Sequence, residues 1–198
     1  MSFKKIIEEL KEHAPFTFFA TLIAILLVVV IKFSFDKEVP QGFFHIAHPA
    51  HVFVSALVSA AIFYKYNKKI IPALLVGVGI SIGIGTISDV LIPWLGGVAF
   101  NLDTMLHIPL IEETFLIIST AMIGSIIGIV IKYTKEPHFL HVFLSVFASL
   151  FYMTSFSQNL TYTGFILMVL IIFIAVLIPC CISDIILPVL LSKKKKRK

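Results

Sequence analysis

The sequence predicts an all-α integral membrane protein of about six transmembrane helices, arranged as two inverted-topology three-helix repeats. The first ground is composition: 59% of the 198 residues are apolar and only 14% are charged, far from the balance of a soluble domain. The second is a duplication. His48-x-x-His51-Val-Phe-x-Ser55-x-x-x-Ser59 returns as His138-x-x-His141-Val-Phe-x-Ser145-x-x-x-Ser149. Ile87-Ser88-Asp89-x-x-x-Pro93 returns as Ile182-Ser183-Asp184-x-x-x-Pro188, in the same order. The third is the placement of the lysines, which favours alternate loops.

Breaks at charged residues and prolines cut the chain into six apolar runs, at roughly 15–33, 49–64, 70–93, 110–131, 139–156 and 163–191. Residues 1–13 carry Lys4, Lys5, Glu8, Glu9, Lys11, Glu12 and His13. They read as a short amphipathic helix on the membrane surface and not as a cleavable signal. The first run follows directly. The second and fifth are short for full spans, so their ends are expected in protein or in a polar cavity. In the third, Gly77, Gly79, Gly83 and Gly85 with Ser81 are expected to let the helix pack closely, as are Gly124 and Gly128 in the fourth. The sixth holds Pro179 and Pro188 and is expected to kink or leave the bilayer near its end.

Lysines set the direction. Lys4, Lys5 and Lys11 precede the first span; Lys65, Lys68 and Lys69 follow the second; Lys132 and Lys135 follow the fourth; a basic tail closes the chain. The loops after spans three and five hold neither Lys nor Arg, and only Lys32 and Lys37 after span one run against the pattern. Under the positive-inside rule both termini are cytoplasmic, in what is expected to be a prokaryotic plasma membrane. Residues 1–95 then form the first repeat, 96–191 the second, and 192–198 the tail. Three spans per repeat is an odd number, so the second copy enters the membrane upside down. That is the architecture of many secondary transporters, with substrate near the midplane between repeats.

The net charge of +5 is a property of the tail: without the six basic residues 193–198, ten basic face eleven acidic residues. No nucleic-acid footprint is spread over the chain, and a terminal basic run suits an anionic bilayer surface. Cys180 and Cys181, the only cysteines, are adjacent and exclude a disulfide framework or a four-thiolate metal site. No glycine is followed by the lysine that a phosphate-cradling loop requires.

The expected partners are the lipid bilayer and a metal ion, with a homo-oligomer left open. Histidines at i and i+3 share one helical face, and two imidazoles with one or two carboxylates suit zinc, iron, manganese, cobalt or nickel, as substrate or bound ion. The outer set is His48, His51, Asp89 and Glu112 or Glu113. The inner set is His138, His141, Asp184 and Glu9 or Glu12. His45, His107 and His13, taken singly, read as interfacial residues. Ser55 and Ser59 continue the His51 face as a polar path, a support for the ligands or a packing surface. Arg197 is the only arginine and no Lys or Arg lies deep in a span, so the interior is built for cations and not anions. The chemistry points to a transporter or channel for a divalent transition-metal cation, with proton coupling through histidine. The alternatives are an intramembrane metal-dependent hydrolase or oxidase, against which the retention of both copies argues, and a proton-coupled carrier of a small solute.

Overall fold

The computed structural model of the chain describes residues 15, 18–20, 22–23, 25–27, 29–30, 40–132, 135–157, 162–181 and 186–192, with the backbone alone for 135–139, 162, 165, 180 and 181. The expected surface helix of residues 1–13 lies outside the described residues. Among those described, helices account for nearly all the structure, and extended pairing is confined to a single bridge between Thr104 and Ser157.

In chain order the helices are α1 (Phe18–Leu27), α2 (Gly42–Asn67), α3 (Ile70–Thr86), α4 (Ile92–Ala99), α5 (Pro109–Glu112), α6 (Thr114–Ile131), α7 (Lys135–Phe156), α8 (Tyr162–Cys181) and α9 (Leu187–Ser192). Among the described residues, three units are long and apolar enough to cross a membrane: α2, the continuous α3–α4 unit and α6. Three of the expected spans appear as shorter apolar stretches, Phe18–Leu27, Leu140–Phe156 and Ile166–Pro179.

The second span is not short. Gly42–Asn67 runs 26 residues because Pro49 sits inside the helix without ending it. Proline removes one backbone hydrogen bond, here the one to the carbonyl of His45, and neighbouring helices offset that loss in a membrane bundle. Nor does Pro93 break the third span. A π-helical turn, Ile87–Leu91, joins α3 to α4, and the Ile92 N–H donates to the Ile87 carbonyl five residues back. The wider turn absorbs the proline and puts Ser88 and Asp89 on the inner side of the bundle, where both are buried. Such π turns gather at functional sites.

Helix α2 is the hub. It packs against α3, α6, α7 and α9, and its Ala- and Ser-rich surface lets all four approach, leaving its apolar segment 78% buried against 28% for α3–α4 and α6. The outward faces of α3 and α6 carry the exposed apolar side chains Ile71, Leu75, Phe115 and Val130. Phe43 and Phe44 of α2 meet Phe151, Tyr152 and Phe156 of α7, whereas His51 meets His141. As the number rises on one helix it falls on the other, so the two helices bearing the duplicated motif run antiparallel.

The close approaches sort the glycines. A Cβ on Gly124 or Gly128 would run into the backbone carbonyl of Phe53 or Leu57 on α2, and one on Gly77 into Ser125 and Ala60. Gly79 and Gly83 have open space, so only part of the glycine run in α3 serves packing. A backbone carbonyl cannot rotate away, so Gly128→Val should destabilise the fold by about 2 kcal/mol or more. Gly83→Ala should leave the melting temperature in detergent unchanged or raise it slightly. Equal melting temperatures for the two variants would refute this packing account.

Two ends of the bundle are distinguishable. Lys68 and Lys132 cap α2 and α6 in the left-handed conformation, and both ammonium groups lie over the Tyr64 ring, at 5.7 and 5.9 Å. Asn67 donates to the Ser192 carbonyl at 3.4 Å, so α9 ends at the same lysine-rich face. At the opposite end, the segment Leu102–Ile108 lies across α7. Met105 N–H donates to Phe156 O at 2.9 Å, and the Tyr152 hydroxyl donates to Met105 O at 2.9 Å.

Candidate metal centre

The deepest polar group in the described structure centres on Asp89. Nδ1 of His48 and Nδ1 of His51 both contact its Oδ2, at 2.8 and 2.6 Å. The hydroxyls of Ser88 and Ser145 donate to its Oδ1, at 2.8 and 3.0 Å. Ser149 donates to the Ser88 carbonyl at 3.2 Å and steadies the π turn. All of these side chains are 0–1% exposed. Gly85 brings α3 close: a Cβ there would stand 3.7 Å from His48 Cε1 and 3.9 Å from His51 Nδ1.

A carboxylate only accepts, so each Nδ1 carries the proton and each Nε2 presents a lone pair. Both Nε2 atoms are buried without a hydrogen-bond partner, as the free ligand nitrogens of a carboxylate–histidine–metal arrangement are before an ion binds. One ligand atom from each of His48, His51 and Asp89 also lies within 4.8 Å of the others, close enough to share one ion directly. Among the described residues no other such group occurs. Two imidazoles and a carboxylate, buried and otherwise satisfied, fit a borderline divalent cation. The identity of the metal is not fixed by this donor set.

The second copy of the motif contributes to the same place. The His141 ring stacks on His51 with centroids 4.5 Å apart and planes 19° apart, and Ser145 is the serine on Asp89. Of the expected inner set, His141 is therefore beside the outer histidines. His138 lies in α7 by its backbone, with its side chain outside the described set, and Asp184, Glu9 and Glu12 lie outside the described residues. Ser55 and Ser59 are fully buried with hydroxyls that have no hydrogen-bond partner.

Glu112 and Glu113 do not join Asp89. Glu112 pairs with His107 (Nδ1–Oε1 2.9 Å) and Glu113 with His45 (2.6 Å), and the two imidazoles meet edge to face at 5.0 Å. Phe44 divides the two layers, stacked on His48 at 5.4 Å and edge-on to His107 at 5.8 Å. His107, read singly from the sequence as an interfacial residue, is largely enclosed by protein. It is 9% exposed, with its ring on Phe156. Burial pushes its imidazole below the usual value, with Glu112 and Glu113 pulling the other way, which leaves it neutral at neutral pH. Sequence reasoning missed Phe44 and the serine pair on Asp89. The repeated Ser88 and Ser145 carried the only signal for the latter.

The chain matches no protein-family model, no curated protein and no solved structure with which it was compared.

Proposed function

We propose that the chain carries a divalent transition-metal cation across a membrane, through one central site built jointly by two inverted three-helix repeats. The observation that carries this reading is the junction at Asp89: His48, His51 and Ser88 come from the first copy, and Ser145 and the stacked His141 from the second. A site at the interface of two repeats, occluded on all sides, is what alternating access requires between its two open states.

Further support lies in the repeat itself. The antiparallel run of α2 and α7 is the arrangement that an upside-down second copy demands. Pro93 follows the π turn near the start of α4, and Pro188 follows the π-helical Ile186 near the start of α9. The first π turn packs on α7, and α9 packs on α2. The common face of Lys68, Lys132 and the end of α9 agrees with a cytoplasmic side that holds both termini. The shorter apolar stretches of α1, α7 and α8, taken with the three longer units, support a reading of six spans.

Coupling to protons has a chemical basis in the same atoms. A cation that takes the histidine nitrogens competes with protons for them. An enzyme is the rival reading, and the shared centre gives it the one cluster it needs. Hydrolysis or oxidation also needs substrate at the metal, however, and donors this fully enclosed favour a carried ion. Liposomes containing the purified protein and an internal metal-sensitive dye should take up at least one of manganese(II), iron(II), cobalt(II), nickel(II) or zinc(II). Uptake should fall as pH drops, because protons compete with the cation for the histidine nitrogens. Folded protein that moves none of these ions at any pH would refute the proposal.

A further inference from the structure

The two histidine–glutamate pairs above Phe44 are not used by the central site. They lie at the end of the bundle opposite Lys68 and Lys132, held by α2, by the segment leading into α5 and by α5 with its C-cap residue. Exposure grades across them, with side-chain values of 53% at Glu112, 28% at His45, 26% at Glu113 and 11% at His107. An ordinary surface ion pair would have its polar atoms either paired or wet. Here His107 Nε2 and Glu113 Oε2 are buried and have no hydrogen-bond partner. Glu112 accepts the proton of His107 Nδ1, which turns a lone pair outward on Nε2. Acceptors of this kind, an imidazole nitrogen and a carboxylate oxygen buried side by side with a second His–Glu pair, are chemically suited to a cation.

We infer that His45, His107, Glu112 and Glu113 form a second divalent-cation site, which captures the ion from solvent and hands it past Phe44 to the Asp89 centre. The inference rests on the transport reading for its purpose, but not for its chemistry. These four side chains stand as two neighbouring pairs and do not converge as closely as His48, His51 and Asp89. Such an array takes a cation through two or three protein atoms and leaves it part of its water, so it binds weakly and releases readily. Phe44 touches a histidine of each layer, so a change of its rotamer would connect them. The ring excludes water from the inner layer while it stays in place.

Calorimetry with cobalt(II) on the detergent-solubilised full chain should resolve a tighter and a weaker class of site. Glu112→Gln/Glu113→Gln should remove the weaker class and raise KM for cobalt(II) uptake into liposomes about ten-fold, with the loss falling chiefly on KM. His107→Asn should give the same result through a different ligand, which keeps the test decisive if the double variant folds poorly. His48→Ala/His51→Ala should remove the tighter class and the flux while the weaker class persists. A single class that vanishes with His48 and His51 and is untouched in both outer variants overturns the inference and leaves the central site standing. Folded wild-type protein that binds neither cobalt(II) nor manganese(II), iron(II), nickel(II) or zinc(II) overturns both readings.

Discussion

Replacing His48 and His51 together by alanine should abolish cation flux and weaken binding at the central site by about 100-fold or more. Supporting residues around a metal alone are worth 10- to 100-fold, and this variant removes two direct nitrogen donors. The structural cost is expected to be smaller than the functional one. Asp89 keeps the hydroxyls of Ser88 and Ser145 on Oδ1 and loses only its two Oδ2 partners. It would nevertheless be a buried carboxylate with half of its partners gone, which destabilises. Binding must therefore be measured on protein whose elution profile and melting show a folded state. His48→Asn/His51→Asn, which restores polar donors without imidazole, should fold better and still fail to transport. Full flux in that second variant would remove histidine ligation from the mechanism.

How much of this was legible in the sequence depends on the kind of feature. Helical class was legible in apolar runs of helical length, and three described helices are indeed long and apolar enough to cross a membrane. His48, His51 and Asp89 were legible as a group because HxxH and ISD recur in order, and the i, i+3 spacing puts both rings on one face. Helix ends were legible only in part. Pro49 and Pro93 read locally as breaks, yet a bundle that supplies alternative partners, and a π turn that widens the backbone, carry the helix through both. Partnership across the bundle was not legible at all. Nothing in the spacing of Glu112 and Glu113 says that they face His107 and His45 and leave Asp89 to serines. That choice is made by where the Leu102–Ile108 segment crosses α7, and by Phe44 standing between the layers. A single phenylalanine among 19 in the chain carries no mark of such a position.

Nothing in the sequence said that the two copies of the motif meet. Sequence places one histidine pair toward each side of the membrane, so that each would hold an ion in turn. Antiparallel helices crossing at their motifs bring His51 and His141 to ring contact instead, and this alters what a variant should do. With separate half-sites, His141→Ala would stop net flux while the His48–His51 site kept its affinity. With a shared centre, His141→Ala removes the ring that packs on His51 and a candidate donor beside the same ion. Affinity for cobalt(II) at the tighter site should then fall about ten-fold or more in His141→Ala, as in His51→Ala, and flux should be lost in both. Ser145→Ala deletes one of four hydrogen bonds to Asp89 and should cost about 1 kcal/mol of binding, which is less than ten-fold. The ordering separates the two geometries: His141→Ala with unchanged affinity but no flux restores independent half-sites, and full activity in either histidine variant refutes a carrier that uses both copies.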